Sequence, residues 1–119
     1  EEEVHTAGKP HHIELTADRN RLTADGKDLS FINVRVVDKN GNLCPDATHK
    51  VKFNVRGAGT YRAAANGDAA SLESFQAPQM SLFKGQLTAI VQTEEQPGVI
   101  MFEASAPGVK SAKIELISE

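Results

Sequence analysis

The stretch "DLSFINVRVVD", residues 28–38, indicates the fold class more strongly than any other part of the chain. Two sets of side chains alternate along it, one aliphatic and one mixed: Ile32, Val34 and Val36 against Phe31, Asn33 and Arg35. This two-residue period is that of a β-strand with one buried face. Turn residues bound it, "ADG" (24–26) before it and Asn40-Gly41 after it. Asn40-Gly41 is the dipeptide best suited to the positive φ angles of a type I′ hairpin turn.

Six further stretches show the same alternation or a weaker form of it. They are "HHIELTA" (11–17), "KVKFNVRG" (50–57), "TYRAAA" (60–65), "GQLTAIVQT" (85–93), "GVIMFEAS" (98–105) and "SAKIELIS" (111–118). Pro-Gly turns separate the last three, and no run with a helical period is longer than a few residues. About seven short strands at regular spacing predict an all-β fold, an immunoglobulin-like antiparallel β-sandwich. A small closed barrel uses the same alternation and is the alternative architecture.

Composition limits both the core and the partners. The 119 residues suit one domain, and they are 39% hydrophobic but only 5% aromatic, with no Trp, so an aliphatic core is expected. The net charge is −3 and Lys and Arg are scattered singly, which argues against a nucleic-acid partner. No apolar run approaches the ~20 residues that span a bilayer, so no membrane insertion is predicted. The acidic, polar first residues do not resemble a signal peptide, which favours a cytosolic protein or a piece of a larger one.

The sequence offers few residues for metal or redox chemistry. Cys44 is the single cysteine and cannot form an intrachain disulfide. His11 and His12 are adjacent, which on a strand would direct them to opposite faces, and His5 and His49 are isolated. We therefore predict neither a cofactor nor a histidine metal site.

Several segments, taken in this order and spacing, carry a family resemblance. They are "ADGKDLSFI" (24–32), "DKNGNLCP" (38–45), "NGDAASLESFQA" (66–77) and "FKGQLTAIVQT" (83–93). From about Thr6 to Leu116 the chain resembles the C-terminal immunoglobulin-like domain of glycoside hydrolase family 2 enzymes. The resemblance is to the β-galactosidase type found in gut Bacteroidetes.

The resemblance implies a larger parent enzyme with a sugar-binding sandwich domain, a central immunoglobulin-like domain and a (β/α)₈ barrel bearing two catalytic carboxylates. None of these regions is in this chain. Residues 1–10 are then a linker from a preceding domain, and residues 11–119 are the immunoglobulin-like domain. The resemblance also implies an exported parent, either periplasmic or at the cell surface.

The function predicted is a non-catalytic accessory domain of a β-galactosidase-type glycoside hydrolase. Its expected partners are the preceding domains of the parent, with carbohydrate as a second candidate. Two alternatives stay open. One is a carbohydrate-binding module of the same enzyme, and the other is an adhesin-like bacterial immunoglobulin repeat.

The stretch "NGDAASLESF", residues 66–75, is the candidate for chemistry. Asp68 and Glu73 are its acidic pair, but a retaining glycosidase holds its two carboxyls about 5 Å apart in a pocket, and a lone sandwich lacks a deep cleft. We therefore predict no catalytic residue. Asn66, Asp68, Ser71 and Glu73 fall short of a full calcium shell, so a turn folded by the Asp side chain is favoured over a metal site.

A shallow sugar-binding patch is the alternative for this region. Tyr61, Asn66 and Asp68 would supply an aromatic ring and hydrogen-bonding groups at one end of the sandwich, although Tyr61 also fits a half-buried strand position. We favour a structural role, in which Gly67 adopts a conformation that other residues resist and Phe75 anchors the connection.

The connection continues as "LESFQAPQMSLF", residues 72–83, which is unusually apolar for a loop. Phe75 and Phe83 are predicted to pack over the sandwich. Met80 and Leu82 are candidates for contact with a neighbouring domain.

Overall fold

The computed structural model describes residues 8–66 and 78–119, which form nine β-strands. In chain order they are β1 (His12–Ala17), β2 (Arg21–Leu22), β3 (Leu29–Val37), β4 (Lys50–Gly57), β5 (Gly59–Ala65), β6 (Gln79–Ser81), β7 (Gln86–Thr93), β8 (Gly98–Ser105) and β9 (Ala112–Ser118). Seven strands have six residues or more, whereas β2 and β6 have two and three. Within the described ranges, no helix has the length and apolar character needed to cross a membrane.

The strands form two sheets. The first has four strands in the order β1-β3-β7-β5, and the second has five in the order β2-β9-β8-β4-β6. Neighbouring strands are antiparallel except for β2 and β9. Among the described strands, β8 and β9 are the one hydrogen-bonded pair that is consecutive in the chain. The predicted immunoglobulin-like β-sandwich is confirmed, and the closed barrel is wrong because the strands divide into two sheets.

The core lies between the sheets and is mainly aliphatic. The alternation predicted for residues 28–38 is confirmed, because Ile32, Val34 and Val36 are fully buried while Phe31 is 44% exposed. The opposite sheet contributes Ile100, which is also fully buried. Burying each such side chain contributes about 1.5–3 kcal/mol to folding, so the one-sided pattern stabilises the sandwich directly.

The apolar connection at residues 72–83 ends in a strand. Met80 is fully buried and Leu82 is 3% exposed, so the prediction that they contact a neighbouring domain is wrong. Met80 lies opposite Val51 in the β4–β6 pairing, which places its side chain in the core. Phe83 is half-buried, with the Lys84 ammonium 5.4 Å from its ring centroid.

The turn at Asn40-Gly41 differs from the predicted type I′. Gly41 has a φ of 86°, but Lys84 is the one described non-glycine residue with a positive φ, and type I′ requires positive φ at both central positions. The Gly41 amide donates to the carbonyl oxygen of Asp38 at 3.0 Å, so Lys39 and Asn40 are the central residues of the turn. The two positive φ angles occur instead in Lys84-Gly85, at 55° and 83°.

Candidate functional site

Tyr61 faces the space between the two sheets. Its ring stacks on Phe53 of β4, with ring centroids 5.6 Å apart and planes 19° apart, and Phe53 in turn stacks on Phe102. Partial burial raises the pKa of the Tyr61 hydroxyl. The ring therefore fills the edge of the core and does not present a flat aromatic surface to a sugar.

Asn66 lies at the opposite end of β5 from Tyr61, roughly 15 Å away at the usual rise of a strand. Its side-chain amide donates to the carbonyl oxygen of Ser81 at 2.9 Å. Because Ser81 belongs to β6 in the other sheet, this bond joins the two sheets at the end of β5. The structure does not bring Tyr61 and Asn66 together in one patch.

Four of the predicted site residues lie outside the described residues: Gly67, Asp68, Glu73 and Phe75. Their structural or ligand-binding roles stay predictions. Residues 1–7 of the predicted linker also lie outside the described part of the chain.

The entry end, which we define as the surface around Gly8–Pro10 and the turn 38–42, holds a network of hydrogen bonds to one carboxylate. Its centre is Asp38, which is 3% exposed. One carboxylate oxygen accepts hydrogen bonds from the amides of Asn40 and Asn42, both at 2.9 Å, and the other accepts from the Gly8 amide at 2.8 Å. The Asn42 side-chain amide donates to the second oxygen at 3.3 Å.

These donors stabilise the ionised form of Asp38. The hydrogen bond from the Gly8 amide is the largest cause, and together the donors lower the pKa of Asp38 to about 2. Asp38 is not among the site residues predicted from the sequence. Its signal was an Asp two residues before Asn40-Gly41, a position from which an Asp side chain accepts bonds from the turn that follows.

A depression of about 770 Å³ opens beside Asp38 at the entry end, lined by Gly8, Pro10 and residues 42–49. A second depression of about 590 Å³ shares Gly8, Pro10 and Asn42 with it and extends over residues 38–40. Cys44 is buried in the wall of the first, with its Sγ 3.6 Å from the Gly8 carbonyl oxygen, and burial raises the pKa of its thiol. The chain entering the domain thus crosses the two depressions.

The strand period predicted that the side chains of His11 and His12 point to opposite faces, and this prediction is wrong. Their Nδ1 atoms are 2.8 Å apart and their rings meet edge to face. His11 precedes β1, so it is free of the alternation that governs His12. Among the described residues, no three His, Cys, Asp or Glu side chains come close enough to hold a metal ion.

Comparison with known proteins identifies the family to which this domain is similar. Residues 13–115 match the family described as glycoside hydrolase family 2 C-terminal domain 5. The β-galactosidase BoGH2A of Bacteroides ovatus is 42% identical to this chain over all 119 residues, which correspond to 14% of the length of that protein. A solved glycosyl hydrolase family 2 member from Bacteroides cellulosilyticus superposes with a TM-score of 0.93 at 32% identity, over 95% of this chain and 15% of that one.

A third likeness concerns the fold alone. The D00-D0 domain of intimin superposes with a TM-score of 0.64 at 19% identity, over 89% of this chain and 46% of that one. The two closer matches are to much longer proteins, of which this chain spans about one seventh. The chain belongs to the glycoside hydrolase family 2 C-terminal domain 5 family.

Proposed function

We propose that this chain is a non-catalytic accessory domain of an exported β-galactosidase-type glycoside hydrolase. The family assignment and the β-galactosidase among its relatives support this parent, and the small share of the relatives that it spans leaves room for separate catalytic domains. The observation that carries the proposal is the anchoring of Gly8–His11, the segment through which a preceding domain would be attached.

Hydrogen bonds hold this segment from two sides. The Gly8 amide donates to the Asp38 carboxylate, and the His11 amide donates to the Val37 carbonyl oxygen at 2.8 Å. On the other side, Lys110 donates its amide to the His11 carbonyl oxygen at 3.0 Å. A chain held at both edges leaves the domain in one direction, so a preceding domain would be positioned rather than flexibly tethered.

Two carboxylates among the described residues hold the backbone of the turn before β3. Asp28 accepts from the Thr23 amide at 2.8 Å and pairs with Arg19, and Asp25 accepts from the Lys27 amide at 2.8 Å. These backbone bonds lower the pKa values of Asp28 and Asp25. A glycosidase acid needs a carboxyl with a raised pKa, so these two side chains are unsuited to proton donation.

Two measurements test the proposal. The purified chain should give no turnover of an aryl β-galactoside above a buffer blank. In the parent enzyme, Asp38→Ala should lower the melting temperature and increase proteolysis near Gly8 while leaving the KM for the galactoside unchanged. Turnover by the chain that disappears in Asp68→Asn or Glu73→Gln would refute the non-catalytic role, and unchanged proteolysis in the Asp38 variant would refute the positioning role.

A further inference from the structure

The outer face of the four-stranded sheet carries a depression of about 440 Å³ near the end of β5. Its lining includes one row of cross-strand neighbours, Asn33 on β3, Thr88 on β7 and Ala65 on β5. Asn66, Gln86 and Leu87 complete the lining. Towards this end of β5 the outward-facing residues Ala63 and Ala65 present only methyl groups, which leaves space for the depression.

The next row of the same face is apolar and contains an exposed aromatic ring. Phe31 lies opposite Ile90, which lies opposite Ala63. Phe31 is 44% exposed, unlike the inward-facing Phe53 and Phe102. Two residues along a strand span roughly 7 Å, so Phe31 lies about that far along β3 from Asn33, just outside the lining of the depression.

Three of the four polar side chains that line the depression have unused hydrogen-bonding capacity; the fourth, Asn66, is bonded to Ser81. Those of Asn33, Gln86 and Thr88 take part in no hydrogen bond or ion pair within the described part of the chain. Two other polar groups of this face are paired: Gln92 donates to the Gly26 carbonyl oxygen at 2.6 Å, and Arg35 pairs with Glu14. The side-chain amides of Asn33 and Gln86 and the hydroxyl of Thr88 are therefore available to a ligand at the depression.

We propose that this depression binds one sugar unit of a neutral glycan, with the apolar face of the sugar against Phe31. Side-chain amides both donate and accept, as paired sugar hydroxyls require, and Thr88 adds a hydroxyl of the same kind. An aromatic ring supplies apolar contact area for the C–H face of a sugar. Arg35, the cross-strand neighbour of Gln86, forms an ion pair with Glu14, so this cation is not free to hold an acidic sugar.

The choice of a glycan as ligand rests on the proposed function, because the parent enzyme would act on glycans. The site shares Asn66 with the sugar patch predicted from the sequence but differs in its aromatic element, since Phe31 replaces Tyr61. One shallow subsite implies weak binding, so the response is expected with glycans in the millimolar range.

The experiment is a titration of the ¹⁵N-labelled chain with neutral galacto- and gluco-oligosaccharides, followed by amide chemical shifts. We expect shifts confined to residues around Phe31, Asn33, Gln86 and Thr88, and a loss of affinity of about tenfold in Asn33→Ala. Phe31→Ala should abolish the response. The matched control is Asn54→Ala on the outer face of the other sheet, which should bind like the unsubstituted chain.

Three outcomes would overturn the proposal: no saturable shifts, shifts elsewhere on the domain, or equal affinity in Asn33→Ala and Asn54→Ala. A fourth outcome that would overturn it is that another domain of the parent enzyme covers this face of the sheet. A thiol introduced as Thr88→Cys in a Cys44→Ser background should react with maleimide equally in this chain and in the parent enzyme, and protection in the parent would mean that another domain covers the face. Failure of glycan binding leaves the accessory role standing, because that role is tested by galactoside turnover and proteolysis.

Discussion

A Cβ atom on Gly85 would lie 2.3 Å from the carbonyl oxygen of Cys44, so the two backbones are closer than any side chain at position 85 allows. Gly85 also has a φ of 83°, in the region that L-residues avoid. Its carbonyl oxygen accepts a hydrogen bond from the Val36 amide at 3.1 Å. The turn between β6 and β7 is thereby packed against the end of β3, and glycine is required at this position for two independent reasons.

We predict that Gly85→Ala destabilises the domain by roughly 2–5 kcal/mol, since the left-handed conformation and the steric overlap both add to the cost. Gly41→Ala is the matched control. Gly41 has a φ of 86° and nothing within 4 Å of its Cβ position, so about 1–2 kcal/mol is expected. Urea unfolding of both variants measures the difference, and equal losses would show that the contact with Cys44 can relax.

The two methionines allow a second comparison. Met80 is fully buried, whereas Met101 is half-buried on the outer face of the five-stranded sheet. Met80→Ala should reduce the free energy of unfolding by about 2–5 kcal/mol because it leaves a cavity. Met101→Ala should cost under about 1 kcal/mol. If the two costs were similar, β6 would not be part of the core in solution.

Asp38 should make the stability of the domain depend on pH in the acid range. Its pKa is about 2 in the folded state against 3.8 ordinarily. Because the pKa is lower in the folded state than in the unfolded state, ionised Asp38 stabilises the fold. This contribution is complete at pH values above the unfolded-state pKa and is lost as the pH falls from about 4 towards about 2.

Chemical unfolding between pH 5 and pH 2 tests this expectation in the unsubstituted chain and in Asp38→Asn. The variant should be less stable at neutral pH and should lose less stability on acidification. Asp46→Asn, at an exposed position of the same end, is the control and should keep the full acid dependence. Parallel acid profiles for the unsubstituted chain and Asp38→Asn would exclude Asp38 as the source.

Cys44 should react slowly with thiol reagents in the folded domain. It is 5% exposed, and burial raises the pKa of its thiol, so both access and the thiolate fraction are reduced. The rate of reaction with a disulfide reagent at pH 8 should rise sharply in denaturing urea. An exposed thiol introduced as Ser105→Cys in a Cys44→Ser background gives the reference rate for a folded chain, and a native Cys44 that reacts as fast would disprove its burial.

The fold was predictable because apolar and polar residues alternate along each long strand, and the apolar set is the buried one, as Ile32, Val34 and Val36 illustrate. The turn at Asn40-Gly41 was assigned to the wrong type because the dipeptide tolerates several turns and the Asp38 side chain, which organises this one, was not considered. The burial of Met80 was missed because a three-residue strand is too short to show a period. The hydrogen bond that the Gly8 amide donates to Asp38 joins residues thirty positions apart, and no local sequence pattern indicates such a contact.

The strand order has a consequence for how fast the domain folds. β8 and β9 are the one described pair made of consecutive strands, so every other described pairing requires a longer loop to close. Closing a longer loop costs more chain entropy, and this entropy is lost before the contacts between the strands compensate for it. Folding should therefore take milliseconds to seconds, as in other sandwiches with non-local pairings. The β8–β9 hairpin can form early without the rest of the chain, whereas β2 can join β9 only after the two ends of the domain meet.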